Sequence, residues 1–181
     1  MNSANPRKVI LYISMSLDGY LATHDDDLSW LFAIERPGED YGYADFTRQV
    51  DTYLVGRRTY DVIRGLMNGN FPQARQFDCY VLTRQQDLPD ADGVTFYNGP
   101  VRALVERLKG EDGGHIYCDG GAEIVRLLMA EDLIDEYIIS VVPILLGDGK
   151  RLFIGGTPPI NLQAQSCVRY DSGLIQLRYT R

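Results

Sequence analysis

The sequence predicts a single-domain α/β protein with a mostly parallel, twisted sheet, helices on both faces and an antiparallel C-terminal hairpin. Three observations predict it. Apolar, strand-length runs alternate with helical stretches as far as Leu128, the pattern of parallel strands joined by crossover helices. From Tyr137 onward the strand-like runs follow one another without a helix. The chain of 181 residues carries no internal repeat, low-complexity tract or long linker. Residues 1–181 are therefore expected to form one unit, with 1–7 as a flexible N-terminus.

The run from Lys8 to Ser14 is β-branched and apolar, and Gly19 punctuates it, so the opening element is a strand. Asp27 precedes Leu28, Leu31 and Phe32, which predicts a short Asp-capped helix ending before Pro37 and Gly38. Asp51 to Val55 is a strand, and Gly56 turns it into a helix from Arg57 to about Gly65. Asp78 to Thr83 and Val94 to Tyr97 are strands. Pro100 then opens a helix whose Val101, Leu104, Val105 and Leu108 make one buried stripe. His115 to Cys118 is a strand, and Gly120 and Gly121 lead into a helix carrying Ile124, Val125, Leu127 and Leu128. Tyr137 to Leu146, Ile160 to Tyr170 and Leu174 to Tyr179 form the antiparallel end, the last two joined through Asp171, Ser172 and Gly173.

Composition removes several function classes. A net charge of −7 repels a nucleic-acid backbone, so nucleic acid is not an expected partner. No apolar run approaches the roughly 20 residues that cross a bilayer, and the first residues lack a secretory pattern. A cytoplasmic protein without membrane contact is expected. Cys79, Cys118 and Cys167 are far apart and expected as free thiols, and His24 and His115 have no partner at metal-ligand spacing. No metal is expected.

Three loops at expected strand C-termini carry chemistry: Ser16 to Gly19, Gly56 to Thr59, and Asp119 to Glu123. The Gly120 and Gly121 pair lets backbone N–H groups at a helix start approach a phosphate, although such a pair serves turn geometry equally well. Arg57, Arg58 and Thr59 at another helix start, with Thr83 and Arg84 after the next strand, offer guanidinium forks and hydroxyls for phosphate oxygens. The alternative is that these arginines pair with nearby carboxylates.

The segments Met15-Ser16-Leu17-Asp18-Gly19-Tyr20-Leu21-Ala22, Asp27-Leu28-Ser29-Trp30, Gly56-Arg57-Arg58-Thr59-Tyr60, Val81-Leu82-Thr83-Arg84 and Asp119-Gly120-Gly121-Ala122-Glu123 occur in an order that resembles the dihydrofolate reductase-like superfamily. The closer resemblance is to the C-terminal reductase domain of the riboflavin-biosynthesis deaminase-reductase and its stand-alone bacterial relatives, over about Lys8 to Tyr179. It implies a dihydrofolate reductase-like fold and an NADPH-dependent reductase of a pterin-like or ribosylaminopyrimidine-like small molecule. By position, Gly56, Arg57, Arg58 and Thr59 resemble the segment on the cofactor phosphates. Thr83 and Arg84 are similar to the loop beside the 2′-phosphate, and Gly120, Gly121, Ala122 and Glu123 to the pyrophosphate turn. Ser16, Leu17 and Gly19 resemble the loop beside the nicotinamide.

Asp27 matches the place of the substrate-binding carboxylate of dihydrofolate reductases and is the catalytic candidate, though a helix cap explains it as well. Asp18 and Trp30 are candidates for substrate contact; a turn and a core aromatic are their alternatives. Only seven residues separate Gly19 from Asp27, and Val125 stands where an aromatic is usual, which favours the riboflavin-type branch over dihydrofolate reduction. The resemblance also implies a possible homodimer. The competing readings are a true dihydrofolate reductase and a nucleotide-binding module without turnover.

Overall fold

The computed structural model describes residues 6–91 and 93–181. β1 (Val9–Ser16) and the short β2 (Tyr20–Ala22) lead into a 3₁₀ turn over Ser29–Ile34 and α1 (Tyr43–Thr47). Then follow β3 (Val50–Gly56), α2 (Arg57–Leu66), a second 3₁₀ turn over Pro72–Arg75, β4 (Asp78–Leu82) and β5 (Val94–Tyr97). α3 (Val101–Lys109), β6 (His115–Gly120) and α4 (Ala122–Ala130) precede β7 (Glu136–Val142), β8 (Lys150–Arg151), β9 (Gln163–Arg169) and β10 (Ile175–Thr180).

Eight strands form one sheet in the order β5-β4-β3-β6-β1-β7-β10-β9, and β2 pairs with β8 beside it. The six strands from β5 to β7 are parallel, and β10 and β9 close the sheet antiparallel. The expected fold class is thus present, with one boundary moved. β7 opens the expected antiparallel end, from Ile175 of β10 opposite Val141 to Thr180 opposite Glu136, and on its other edge it runs parallel to β1, from Ile10 opposite Glu136 to Ser16 opposite Val142. α4 lies between β6 and β7 and acts as a crossover, which brings the chain back in the same direction. β7 also stops short of the predicted Leu146, because Pro143 has no N–H to continue a ladder.

Alternation along the buried strands places two cores on the two faces. Val9 and Leu11 of β1, with Leu54, Ile116 and Cys118, pack on Val101, Leu104, Val105 and Leu108 of α3 and Ile124, Val125 and Leu128 of α4. Ile10 and Tyr12 point the other way and join Tyr53, Val55, Cys79, Val81 and Tyr117 against Phe46 of α1, Tyr60 of α2 and Phe77. Cys79 and Cys118 are buried there, and desolvation pushes both thiols up to about 12, so they behave as small core hydrophobes. No described helix is long and apolar enough to cross a membrane.

Insertion of β6 between β3 and β1 creates the feature that matters for function. The chain passes from β1 to β3 and outward to β5, then returns to fill the gap, so crossovers leave the two sides of that gap in opposite directions. A crevice opens at the C-terminal ends of strands where the order reverses in this way.

Residues 1–5 of the segment expected to be flexible lie outside the described residues. Arg7 at its end is buried: its guanidinium donates to the carbonyls of Gly114 at 2.6 Å and Leu108 at 2.9 Å, to Thr52 Oγ1 at 2.7 Å, and to Asp51. It thereby ties β3 to the end of α3 and the start of β6. Arg7→Ala leaves those acceptors without their donor and is expected to cost about 3 kcal/mol in urea unfolding. Arg48→Ala, which removes an exposed pair with Asp45, should cost less than about 0.5 kcal/mol in the same measurement.

Candidate active site

A cleft of 1860 Å³ lies at the C-terminal ends of the parallel strands, as the strand order requires. Tyr12, Ile13 and Ser14 of β1, Gly56 of β3, Leu82 of β4, Tyr97 of β5 and Asp119 of β6 form its floor and edges. Tyr20 to Ala22, His24, Asp26 and Asp148 to Arg151 supply the side nearest β2 and β8, and Gly56 to Thr59 supply the side of α2.

Two strand-to-helix turns meet at its centre. The N–H of Gly121 donates to Thr59 Oγ1 at 2.9 Å, joining the α4 turn to the first turn of α2. A Cβ on Gly56 would stand 2.8 Å from Ile124 Cγ1, and one on Gly121 would stand 3.1 Å from Thr59 Oγ1, so the approach requires the bare backbone. The Thr59 hydroxyl and the Gly121 amide are therefore committed to each other. What remains for a ligand at this point is the positive end of α4, where the first amides of a helix have no intrahelical partner.

Arg57, Arg58, Thr83 and Arg84 all line this cleft, together with Gly56, Thr59, Gly121, Ala122 and Glu123. The structure brings the expected phosphate-binding set together, and each arginine also has a carboxylate. Arg57 Nε donates to Asp61 at 2.8 and 2.9 Å and its guanidinium lies 5.4 Å over Phe96. Arg58 donates through Nη2 to Asp26 at 2.8 Å, and Arg84 through Nη2 to Glu123 at 2.9 Å. Convergence and pairing thus hold simultaneously. Arg84 is nearly free in solvent, its side chain 88% exposed, so its ion pair is readily exchanged for a ligand anion.

Asp119, at the end of β6, is the carboxylate of the cleft held by neutral donors. The hydroxyls of Tyr117, at 2.7 Å, and Tyr53 donate to it. Desolvation raises its pKa from 3.8 to about 6, while those two hydrogen bonds pull against the rise. The phenols are pushed well above 10 by their own burial and by the charge of Asp119, so they remain donors. A carboxyl in a cleft that takes up a proton around pH 6 can exchange that proton with a bound molecule.

The remaining predicted residues are placed elsewhere. Ser16 is fully buried; its hydroxyl donates to Asp18 at 2.6 Å and accepts the Tyr20 amide at 2.9 Å. Asp18 accepts further bonds from the Leu146 and Gly147 amides at 3.1 and 2.7 Å, and the Ser16 hydroxyl is the main influence lowering its pKa. Its carboxylate fastens one loop to another, which occupies the oxygens offered for a substrate ribose. Leu17 points to solvent, Gly19 closes the turn back to Ser16, and Gly120 is buried under the cleft. None of these five lines the cleft.

Asp27 is exposed and also outside the lining residues. Its two oxygens accept the Ser29 amide at 2.9 Å and the Ser29 hydroxyl at 2.7 Å, which lower its pKa. Those contacts form a local turn from Asp27 to Ser29 just before the 3₁₀ turn, whose cap residue is Leu28 without a side-chain cap bond, and they engage the carboxylate offered for catalysis. Trp30 packs in a separate cluster with Ile34, Val142 and Leu174, and its Nε1 has no partner among the described residues.

Sequence reading missed Asp26, Lys150, Arg151 and the role of Asp119. Three consecutive aspartates offer no rule for which one faces inward; the choice is made by Asp26 itself, at φ +63°. Lys150 and Arg151 follow Gly147-Asp148-Gly149, a turn signature followed by two cations that could have marked a ligand loop. Among the described residues no group of three or more His, Cys, Asp or Glu is arranged to hold a metal ion.

Comparison with known proteins identifies the family and the fold. An uncharacterized Bacillus subtilis protein, YwjB, is 41% identical over 175 residues, covering 97% of this chain and 98% of its own. A solved structure from Shewanella sp. PV-4, named for riboflavin biosynthesis, superposes with a TM-score of 0.85 at 29% identity, covering 96% and 98% of the two chains. Dihydrofolate reductase from Enterococcus faecalis, in complex with NADP(H), shares the fold with a TM-score of 0.63 at 16% identity and 96% coverage of each chain. The model of the RibD C-terminal domain matches residues 7–176, and the chain belongs to the RibD C-terminal domain family, within the dihydrofolate reductase-like fold.

Proposed function

We propose that this protein is an NADPH-dependent reductase that adds hydride to a C=N bond or to the open-chain sugar of a pterin-like or ribosylaminopyrimidine-like heterocycle. The observation that carries the reading is the convergence of Arg57, Arg58, Thr83, Arg84 and the α4 start on one cleft at the strand-order reversal. Membership in a family related to riboflavin-biosynthesis reductases supports an oxidoreductase of this kind.

The residues present fit the dinucleotide. A cleft of 1860 Å³ holds a molecule of that size, and the start of α4 on its wall offers a helix N-terminus to a diphosphate. Arg57, Arg58 and Arg84 would hold the phosphates, with Arg84 as the exposed fork for a 2′-phosphate. Bound NADPH supplies the hydride. The protein's own part is alignment, exclusion of water by Tyr12, Ile13 and Tyr20, and a proton for the substrate nitrogen as hydride adds to carbon. Asp119 is the cleft group poised to supply that proton, and Tyr53 and Tyr117 hold it in place.

NADPH should raise the melting temperature well above the shift given by NADH, and Arg84→Ala should erase most of that difference while leaving the NADH shift in place. Equal shifts in the wild type would sink the cofactor assignment. Side-by-side NADPH oxidation with dihydrofolate and with the ribosylaminopyrimidine distinguishes the reductase branches, and no oxidation with either points to a binding module.

Asp119 also predicts a pH dependence. Its folded pKa lies above the unfolded value, so its contribution to stability is full below about pH 4 and is lost as pH rises toward about 6. Asp119→Asn should remove that slope from urea melts and reduce turnover at pH 6 by about 100-fold. Asp27→Asn, which weakens an exposed turn with Ser29, should change turnover less than about threefold and lower stability by about 1 kcal/mol or less.

A further inference from the structure

We propose that Arg58 and Lys150 form a two-cation site for a phosphate ester, and that Asp26 occupies it in the free protein as an internal competitor. The ligand chemistry is a phosphate monoester or diester, supplied by the dinucleotide or by a phosphorylated substrate.

The arrangement is specific. Asp26 sits in the loop after β2, a turn closed by its own N–H donating to Thr23 O at 3.2 Å and by Thr23 N–H donating to Asp27 O at 3.3 Å. Its φ of +63° lies in the left-handed region, which an aspartate tolerates better than most residues and which here turns its carboxylate into the cleft. One carboxylate oxygen receives Arg58 Nε at 3.2 Å and Nη2 at 2.8 Å, and the other receives Lys150 Nζ. Arg58 stands in the first turn of α2. Lys150 is held on β8, in register with Ala22 of β2. The carboxylate therefore bridges the β2–β8 side of the cleft to the α2 side.

The other ion pairs of the cleft do not bridge it this way: Arg57 uses Asp61 one turn along its own helix, and Arg84 uses Glu123, which Arg126 of the same helix also holds. Burial favours protonation of Asp26, but the bonds from Lys150 and Arg58 outweigh it and keep the carboxylate ionised. A single-charged carboxylate with two oxygens is a partial stand-in for a phosphate, which brings three oxygens and up to two charges. An entering phosphate takes both cations and releases Asp26. Only the loop needs to move, because Lys150 and Arg58 sit on regular elements. A second tie, His24 Nε2 to Asp148 Oδ2 at 3.0 Å, joins the same loop to the turn before β8.

The ligand identity rests on the reading of the cleft as a site for phosphorylated molecules, so the test uses two probes. Wild type, Asp26→Asn and Asp25→Asn are titrated by calorimetry with NADPH and separately with ribose 5-phosphate. Asparagine keeps the left-handed backbone at position 26, and Asp25 is an exposed neighbour without a bond to either cation. Asp26→Asn is expected to bind at least one probe about fivefold more tightly, because the competitor is gone. Asp25→Asn should change affinity less than twofold, and the gain should vanish when Arg58→Gln and Lys150→Gln are both present.

A gain with NADPH alone assigns the site to the dinucleotide, and a gain with ribose 5-phosphate alone assigns it to substrate. If NADPH binds no variant while the ribose 5-phosphate gain remains, the cofactor reading falls and the internal competitor stands. NADPH binding equally to wild type and Asp26→Asn, with no gain for ribose 5-phosphate, overturns the competitor and spares the cofactor reading. An equal gain from Asp25→Asn, or binding of neither probe to any variant, also overturns it.

Discussion

The cleft depends on two strand-to-helix turns being pressed together without side chains between them. Gly56 ends β3 and Gly121 precedes α4, where a Cβ would crowd Ile124 at 2.8 Å and Thr59 at 3.1 Å, and the Gly121 amide donates to Thr59 at 2.9 Å. A side chain at either place would push α2 from α4 and part the two helix starts whose positive ends face the cleft. The same contact sets the spacing of everything above it. Arg57 and Arg58 project from the first turn of α2, while Ala122 and Glu123 open α4, so one hydrogen bond between turns fixes how far apart the groups that grip a ligand can be. The parallel order of β3, β6 and β1 supplies the frame and the bare turns supply the closeness.

An acidic protein that binds an anion must keep its cations from being permanently satisfied. Here the counter-charges are local and, at the rim, hydrated. Arg84 would give up little on exchanging Glu123 for a phosphate, because a pair so exposed is worth about 1 kcal/mol or less. Arg7, by contrast, is enclosed and bound to backbone carbonyls, and works as a structural bolt between β3 and α3. The same residue type is available to a ligand at the rim and serves folding in the interior, and the difference is the desolvation around each guanidinium rather than the guanidinium itself.

Periodicity made most of the fold legible. The stripe Val101, Leu104, Val105 and Leu108 is the buried face of α3, and the residues around Gly56 and Gly121 are the turns expected. β7 has the antiparallel neighbour expected of it in β10, but its parallel edge on β1 was not legible, because strand-like residues look alike in parallel and antiparallel ladders. The arginines of the cleft were legible since they follow directly from strands whose ends must share an edge. The carboxylates were not. Asp25, Asp26 and Asp27 differ by one residue each, yet one is exposed with no cation bound to it among the described residues, one bridges two cations and one turns onto Ser29. Side-chain direction in a tight turn is set by individual φ values, which pattern and propensity do not encode.

Asp119 shows why anion binding and proton supply can share one cleft. A carboxylate facing guanidinium or ammonium groups is held ionised, as Asp26 and Glu123 are, and loses any use as an acid near neutrality. Asp119 lies on the same sheet edge but meets phenols, which donate hydrogen bonds without bringing positive charge. Two such bonds lower its pKa less than desolvation raises it, and the balance falls at about 6. Tyr53 and Tyr117 belong to the aromatic core beneath, their rings 5.0 Å apart and perpendicular, so packing rather than loop geometry fixes the donors. Replacing either phenol with a cation would keep the hydrogen bond and remove the proton; the neutral floor and the cationic rim do their separate work because they are built from different donors.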